Sequence, residues 1–150
     1  MISLVLSDDY AYVIACAIAF YVQQQFIFVI PVAMKRKKYG VKTPTLYPRD
    51  SEIKALKMSD DDVHDYMCTQ RAHQNNVEFT SVFMPIFLLA GAVDGQAKNV
   101  FYAGLVIFLN RLLGGLGYAK GLRKYSSLWH LGEFYVLYIL GREAYRVLSN

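Results

Sequence analysis

The chain has 150 residues, 55% of them apolar and only 19% charged, with a formal net charge of +4. That length suits one domain, and four long apolar stretches, at 11–34, 66–93, 100–119 and 128–148, exclude an average soluble protein. Cys16 and Cys68 both fall inside predicted helices, which excludes a disulfide framework and reads as two buried free thiols; no metal-ligand set is read.

Residues 1–10 carry Asp8 and Asp9 and no basic region with a cleavage site. The first helix, 11–34, is therefore expected to be a retained anchor rather than a removed signal. At ~1.5 Å per residue it can span ~30 Å of hydrocarbon. Ala11, Ala15 and Ala19 form a small-residue stripe that lets a neighbouring helix approach closely. Gln23, Gln24 and Gln25 are consecutive and cannot share one face, so at least one should contact another helix or subunit. Pro31 predicts a kink or an early end.

Lys35-Arg36-Lys37-Lys38 then opens a basic connection that continues through Lys42, Arg49, Lys54 and Lys57. Pro44 and Pro48 suggest an ordered loop over 39–62. Asp60, Asp61 and Asp62 look like the capping, dipole-favouring start of a second helix, 63–93, bent at Pro85. This helix carries Arg71-Ala72-His73-Gln74-Asn75-Asn76-Val77-Glu78-Phe79 just ahead of a lipid-type stretch. Charged and amide side chains are costly in hydrocarbon and usually face a partner, a cavity or a ligand. At ~100° per residue Arg71, Asn75 and Glu78 share one face, with Gln74 off it and free to face a neighbour. A cation, an amide and a carboxylate so aligned could grip a small zwitterion; the plainer alternative is an Arg71–Glu78 ion pair that stitches helices together.

A third helix, 98–121, ends in Asn110-Arg111 and a glycine-rich run in which Gly117 and Gly121 have a close-packing spacing. A second basic connection, with Lys120, Arg123 and Lys124, leads into a fourth helix, 127–148. Its Trp129, Tyr135, Tyr138 and Tyr145 suit a headgroup belt where they lie near the ends. Glu133 and Arg142 interrupt it and leave a soluble bundle as the alternative. With four crossings the two basic connections share a side, which the positive-inside bias makes cytosolic, both termini lying opposite. Contact with membrane lipid headgroups accounts for most of those charges. A basic run that abuts a membrane helix without a recognition fold argues against nucleic acid. The expected fold is all-α, an integral-membrane four-helix bundle.

The run Arg71-Ala72-His73-x-Asn75-x-x-Glu78 resembles the R-A-H/Q-x-N-x-x-E signature of the MAPEG family, membrane-associated proteins in eicosanoid and glutathione metabolism. Upstream, Arg36-Lys37-Lys38-Tyr39-x-Val41-x-x-Pro44-x-x-Tyr47 resembles the microsomal glutathione transferase branch, and Arg111 with Gly117-Tyr118 matches the family's helix-three ending. The likeness covers nearly the whole chain, and the helix-two motif is its sharp part.

The resemblance implies a four-helix subunit in a homotrimer, with glutathione as co-substrate between neighbours on the cytosolic side and a lipophilic substrate arriving from the bilayer. Arg71 and Arg36 would pair with its carboxylates, Glu78 would accept from its ammonium, Asn75 would bridge, and Tyr118 would join the site. His73 could donate or accept there, or make a buried structural hydrogen bond. In the family an arginine after helix three favours the reactive thiolate; Arg123 is the candidate catalytic residue here and Lys124 the second, with a headgroup contact as the alternative. Gly114 and Phe79 stand where relatives place tyrosines, which removes two hydroxyls near the ligand.

The expected activity is thus a glutathione transferase or glutathione-dependent peroxidase acting on lipophilic electrophiles or lipid hydroperoxides. Gly114 and Phe79 favour the alternative, a non-catalytic MAPEG-fold protein serving as a lipid-presenting partner or a structural subunit of a larger membrane assembly. The resemblance implies the endoplasmic reticulum. An ending of Leu148-Ser149-Asn150, without a retrieval signal, keeps a mitochondrial membrane as the alternative.

Overall fold

A computed structural model describes residues 7–118 and 127–149, and these are helical over most of their length. Helix α1 (Tyr10–Val22), a π-helical segment (Gln23–Phe28) and α2 (Val29–Tyr39) run end to end as one rod of 30 residues. A short α3 (Asp50–Leu56) precedes the longest element, α4 (Asp60–Gly91), followed by α5 (Ala97–Leu116) and α6 (Trp129–Leu148). The four long rods lie side by side: α4 touches each of the others, α5 packs on α1 and α6, and α2 packs on the first part of α4.

The Tyr10–Tyr39 rod and α5 are long and apolar enough to cross a membrane. Helices α4 and α6 match or exceed α5 in length, at 32 and 20 residues, but carry the polar motif and several charges. Large apolar side chains cover the outside of the molecule. Ile18, Phe26, Val82, Leu113, Leu131 and Phe134 are all more than half exposed, a mantle that suits lipid rather than water.

Local chemistry explains most of the boundaries. The first rod does not stop at Pro31 as expected. The irregularity falls upstream, in the wide turns of Gln23–Phe28, and Pro31 occupies the first turn of α2, where a missing N–H costs least. Gly40, at φ +73°, ends the rod in the left-handed conformation, and the Val41 N–H donates back to the Arg36 carbonyl at 3.1 Å. The cap of α4 is Ser59, not the aspartates. Its hydroxyl accepts from the Asp62 N–H at 3.2 Å while the Asp62 carboxylate accepts from the Ser59 N–H at 3.1 Å, a reciprocal capping box. The Ser59 hydroxyl also donates to the Asp62 carboxylate at 2.7 Å, and this bond first, then that from the Ser59 N–H, holds the Asp62 carboxyl below the usual carboxylate range. Helix α4 continues through Pro85, and α5 ends at Leu116, five residues short of the expected boundary at 121.

Val13, Cys16 and Phe20 of α1, Phe83 and Phe87 of α4, Ile107 of α5 and Val136 and Ile139 of α6 form one buried core. Phe20 is its hub, with ring centroids 6.0 Å from Phe83, 6.2 Å from Phe87 and 5.6 Å from Phe108. Gly132 lets α6 approach α5 closely, since a Cβ there would sit 2.8 Å from the Ala103 carbonyl oxygen. Cys16 is buried as expected; Cys68 is only partly buried, its Sγ 3.5 Å from His64 Nε2.

Candidate functional site

The polar motif of α4 divides into an outer and an inner set. On the outer face Arg71 and Glu78 pair at 3.7 Å, with side chains 43% and 51% exposed. Gln74 bridges them to the preceding loop: its Nε2 donates to Glu78 at 3.0 Å and its Oε1 accepts from the Tyr47 hydroxyl at 2.5 Å. Helical geometry accounts for the grouping. Relative to Arg71, Gln74 and Asn75 flank the line to Glu78 on either side, within an arc of about 100°.

Arg36 acts through that loop. Its guanidinium donates to the Thr45 carbonyl at 2.6 Å and to the Val41 carbonyl at 3.5 Å. The fully buried Tyr66 donates its hydroxyl to the Leu46 carbonyl at 3.0 Å. Together they fix the backbone that delivers Tyr47 to Gln74. Below this strap Asp65 accepts from Lys35 and, at 2.6 Å, from Tyr39, which ties α2 to α4. These donors, Lys35 first, hold the Asp65 carboxyl below the usual range.

The inner set surrounds a cavity of ≈ 330 Å³ between α4 and α5, near the start of α6. Asn75, Asn76, Glu78, Arg111 and Tyr118 provide its polar wall, and Phe28, Phe79 and Trp129 its aromatic wall, with Gly114 and Gly115 between them. Arg111 is fixed from several directions. Its Nε donates to Asn76 Oδ1 at 3.0 Å, an Nη donates to the Asn75 carbonyl at 2.8 Å, and its centre lies 4.0 Å from the Phe79 ring centroid and 5.1 Å from that of Trp129. Asn76, 2% exposed, passes the chain inward by donating to Gln24 Oε1 at 2.7 Å. Gln23 instead donates to the Phe108 carbonyl at 3.1 Å. The wide turn of the π segment thus sends consecutive glutamines to different helices of the same subunit.

Of the residues read from the sequence, Asn75, Glu78 and Tyr118 meet at the cavity, and Arg71 joins them through Glu78. Arg36 supports the loop. His73 looks the other way, into a groove of ≈ 450 Å³ between the first rod and α4 that also holds Tyr21, Gln25, Val77 and Met84. Its Nδ1 is buried there without a hydrogen-bond partner, as are Thr80 Oγ1 and Gln24 Nε2 on the same groove. Arg123, Lys124 and the Gly121 end of the expected third helix lie outside the described residues. The sequence reading missed Asn76, Arg111, Gln74 and Tyr47 as site residues. Arg111 carried a usable signal, a charge standing amid Leu109, Leu112 and Leu113.

The sequence model of the MAPEG family matches residues 13–145, a stretch that contains every site residue named above. No solved structure matches the chain.

Proposed function

Because this chain belongs to the MAPEG family, which includes glutathione transferases and non-catalytic members, we propose that it is a membrane-bound glutathione transferase or glutathione-dependent peroxidase of the microsomal glutathione transferase type. The observation that carries the proposal is the cavity wall, where a carboxylate, a guanidinium, two amides and a phenol face one space of ≈ 330 Å³ with Arg71 beside it. Glutathione offers the complement: two carboxylates, an ammonium and a thiol. Arg71 pairs with a carboxylate, Glu78 accepts from the ammonium and Asn75 bridges through its amide. A free thiol of pKa ~8.5 is only partly ionised at neutral pH, so a cation close to it raises the reactive fraction. Arg111 and Arg123 are the two candidates for that cation. Tyr118 donates a hydrogen bond to the same sulfur. The thiolate attacks an electrophilic carbon of a lipophile from the bilayer, which expels its leaving group, or the outer oxygen of a lipid hydroperoxide. In the second case the O–O bond breaks to release the alcohol and leave a glutathione sulfenic acid, which a second glutathione reduces to the disulfide and water.

Assembly follows from the His73 groove. Hydrocarbon offers no partner to the buried His73 Nδ1, Thr80 Oγ1 and Gln24 Nε2, whereas a second copy of the chain does. A homotrimer of four-crossing subunits, with the basic connections against the headgroups of an endoplasmic reticulum or mitochondrial membrane, completes the reading. His73 then contributes at the subunit boundary.

A second reading is favoured by Phe79 and Gly114. Phe79 meets Arg111 with a ring instead of a hydroxyl, and Gly114 adds no side chain to the wall. A chain so altered binds glutathione or a lipid without turnover, as a lipid-presenting partner or a subunit of a larger assembly. One experiment separates the two. Protein purified in mild detergent is titrated with glutathione by calorimetry, then assayed for conjugation of an aryl halide and reduction of a lipid hydroperoxide. Binding with turnover is expected; binding alone selects the second reading, and no binding overturns the site.

A further inference from the structure

A smaller cavity of ≈ 80 Å³ lies between α4 and α6 and shares the Phe79 ring with the polar cavity. Val82, Phe83 and Ile86 of α4 and Leu137 of α6 line it, together with a single carboxylate, Glu133. Val82 and Leu137 are 67% and 42% exposed and belong to the apolar mantle, so the crevice is reached from the lipid side. Glu133 is held in place by His130, whose Nδ1 lies 3.0 Å from Glu133 Oε2, and the His130 ring stacks on Trp129 at 3.7 Å. His130 meets only Oε2 of this carboxylate, and a carboxylate oxygen among such neighbours is costly unless a donor meets it.

We propose that this crevice receives the oxygenated segment of a neutral, O–H-bearing alkyl amphiphile, a lipid hydroperoxide or alcohol, with Glu133 accepting its hydrogen bond. The class follows from charge and size. An ionised carboxylate accepts from an O–H group and repels an anionic head, so fatty-acid anions are selected against. At ~30 Å³ per water-sized group the space of ≈ 80 Å³ holds two or three such groups, the polar group and at most the carbon that bears it, and the rest of the chain stays in the bilayer. His130 is a positioning residue. The Phe79 ring lines both this crevice and the cavity where, on the reading above, the glutathione thiolate lies. The proposal rests on that reading only for the co-substrate it would meet.

Trp129 is the chain's single tryptophan and stands 4.8 Å from the Phe79 ring, which supplies a readout independent of turnover. The full chain in phosphatidylcholine vesicles is titrated with a 2-bromo long-chain 1-alcohol and with a 2-bromo alkyl-1-sulfonate of equal length, the bromine next to the polar group being a short-range quencher. The alcohol is expected to quench Trp129 about two- to tenfold more strongly, the equilibrium counterpart of one hydrogen bond and one avoided repulsion. Glu133→Gln, close to isosteric, removes most of that preference, and Ile86→Phe, which fills the crevice, removes the excess quenching. Equal quenching by both probes, or a preference that survives Glu133→Gln, overturns the proposal. A glutathione titration of the same vesicles separates the two claims. Probe preference without glutathione binding supports the crevice and sinks the glutathione reading, and the converse result sinks the crevice alone.

Discussion

Arg71 and Arg111 carry the same charge on neighbouring helices and are held in opposite ways. Arg71 sits in a half-exposed ion pair that a ligand can redirect; Arg111 is fixed by Asn76, the Asn75 carbonyl and two aromatic rings. Arg71→Ala should therefore weaken glutathione binding roughly 10- to 150-fold, the loss of one charge-assisted bond of ~1.5–3 kcal/mol. Stability should change by less than about 1 kcal/mol, as for other exposed pairs. Calorimetry and a melting curve on the same sample check both halves. Arg111→Ala should behave differently: it strands Asn76 Oδ1 in a buried site and should cost ~1–3 kcal/mol of stability, read as a lower melting temperature. Which cation favours the thiolate is read from pH–rate profiles of Arg111→Gln and Arg123→Ala. Losing that cation lets the thiol pKa rise toward ~8.5, so the profile should move to higher pH in one variant and stay put in the other. At this scale the sequence displayed the stripe Arg71, Asn75, Glu78, because helical spacing is local. Tyr47 was hidden, and Arg111 showed only as a charge among leucines, since each reaches the site from another segment by a contact that no periodicity records.

At the scale of elements, the end of α4 nearest the basic connection is secured by carboxylates. Asp62 caps through Ser59, and Asp65 accepts from Lys35 and Tyr39. Both carboxyls have folded-state pKa values below their unfolded ones. Their stabilisation is thus complete above about pH 4, the ordinary carboxylate value, and is lost as pH falls through the lower folded values. Melting temperature should drop on the acid side, and Asp65→Asn should flatten that limb; an unchanged acid limb would count against the clamp. Gly132→Ala tests the other contact, since its Cβ would press on the α5 backbone and should cost ~1–3 kcal/mol. Four long helices were readable from apolar length alone. Helix α3, the Ser59 cap and the π segment were not: α3 has seven residues, a serine before three aspartates is overshadowed by their charge, and wide turns leave no compositional mark.

For the molecule as a whole, the apolar mantle and the family match point to life in a membrane, and the proposed assembly would set a neighbouring copy against the groove with three partnerless polar atoms. Detergent-corrected mass should equal three chains, and a strictly monomeric mass would remove both the trimer and any ligand site shared between subunits. Cysteine accessibility at positions 42 and 150 should report opposite sides of the membrane; labelling from one side would exclude an even number of crossings. Membrane character was plain in the hydropathy. The homotrimer rests on the family resemblance alone, because one chain's sequence records the polar atoms but not whose partners they become.

The glutamine-rich wide turn also sets a phase. It holds one residue more than an α-helical path needs, so the extra residue is taken up in the turn and α2 keeps the phase of an uninterrupted helix. Inserting a further residue after the exposed Gln25, which an already widened turn has no room to absorb, would swing everything beyond it by about 100°. Val13, Cys16 and Phe20 would keep their seats in the core, while Arg36 would turn away from the carbonyls it steadies and Tyr47 would lose its place above Gln74. A frame error of a single amide, outside every residue of the site, would leave a folded membrane protein with its strap undone.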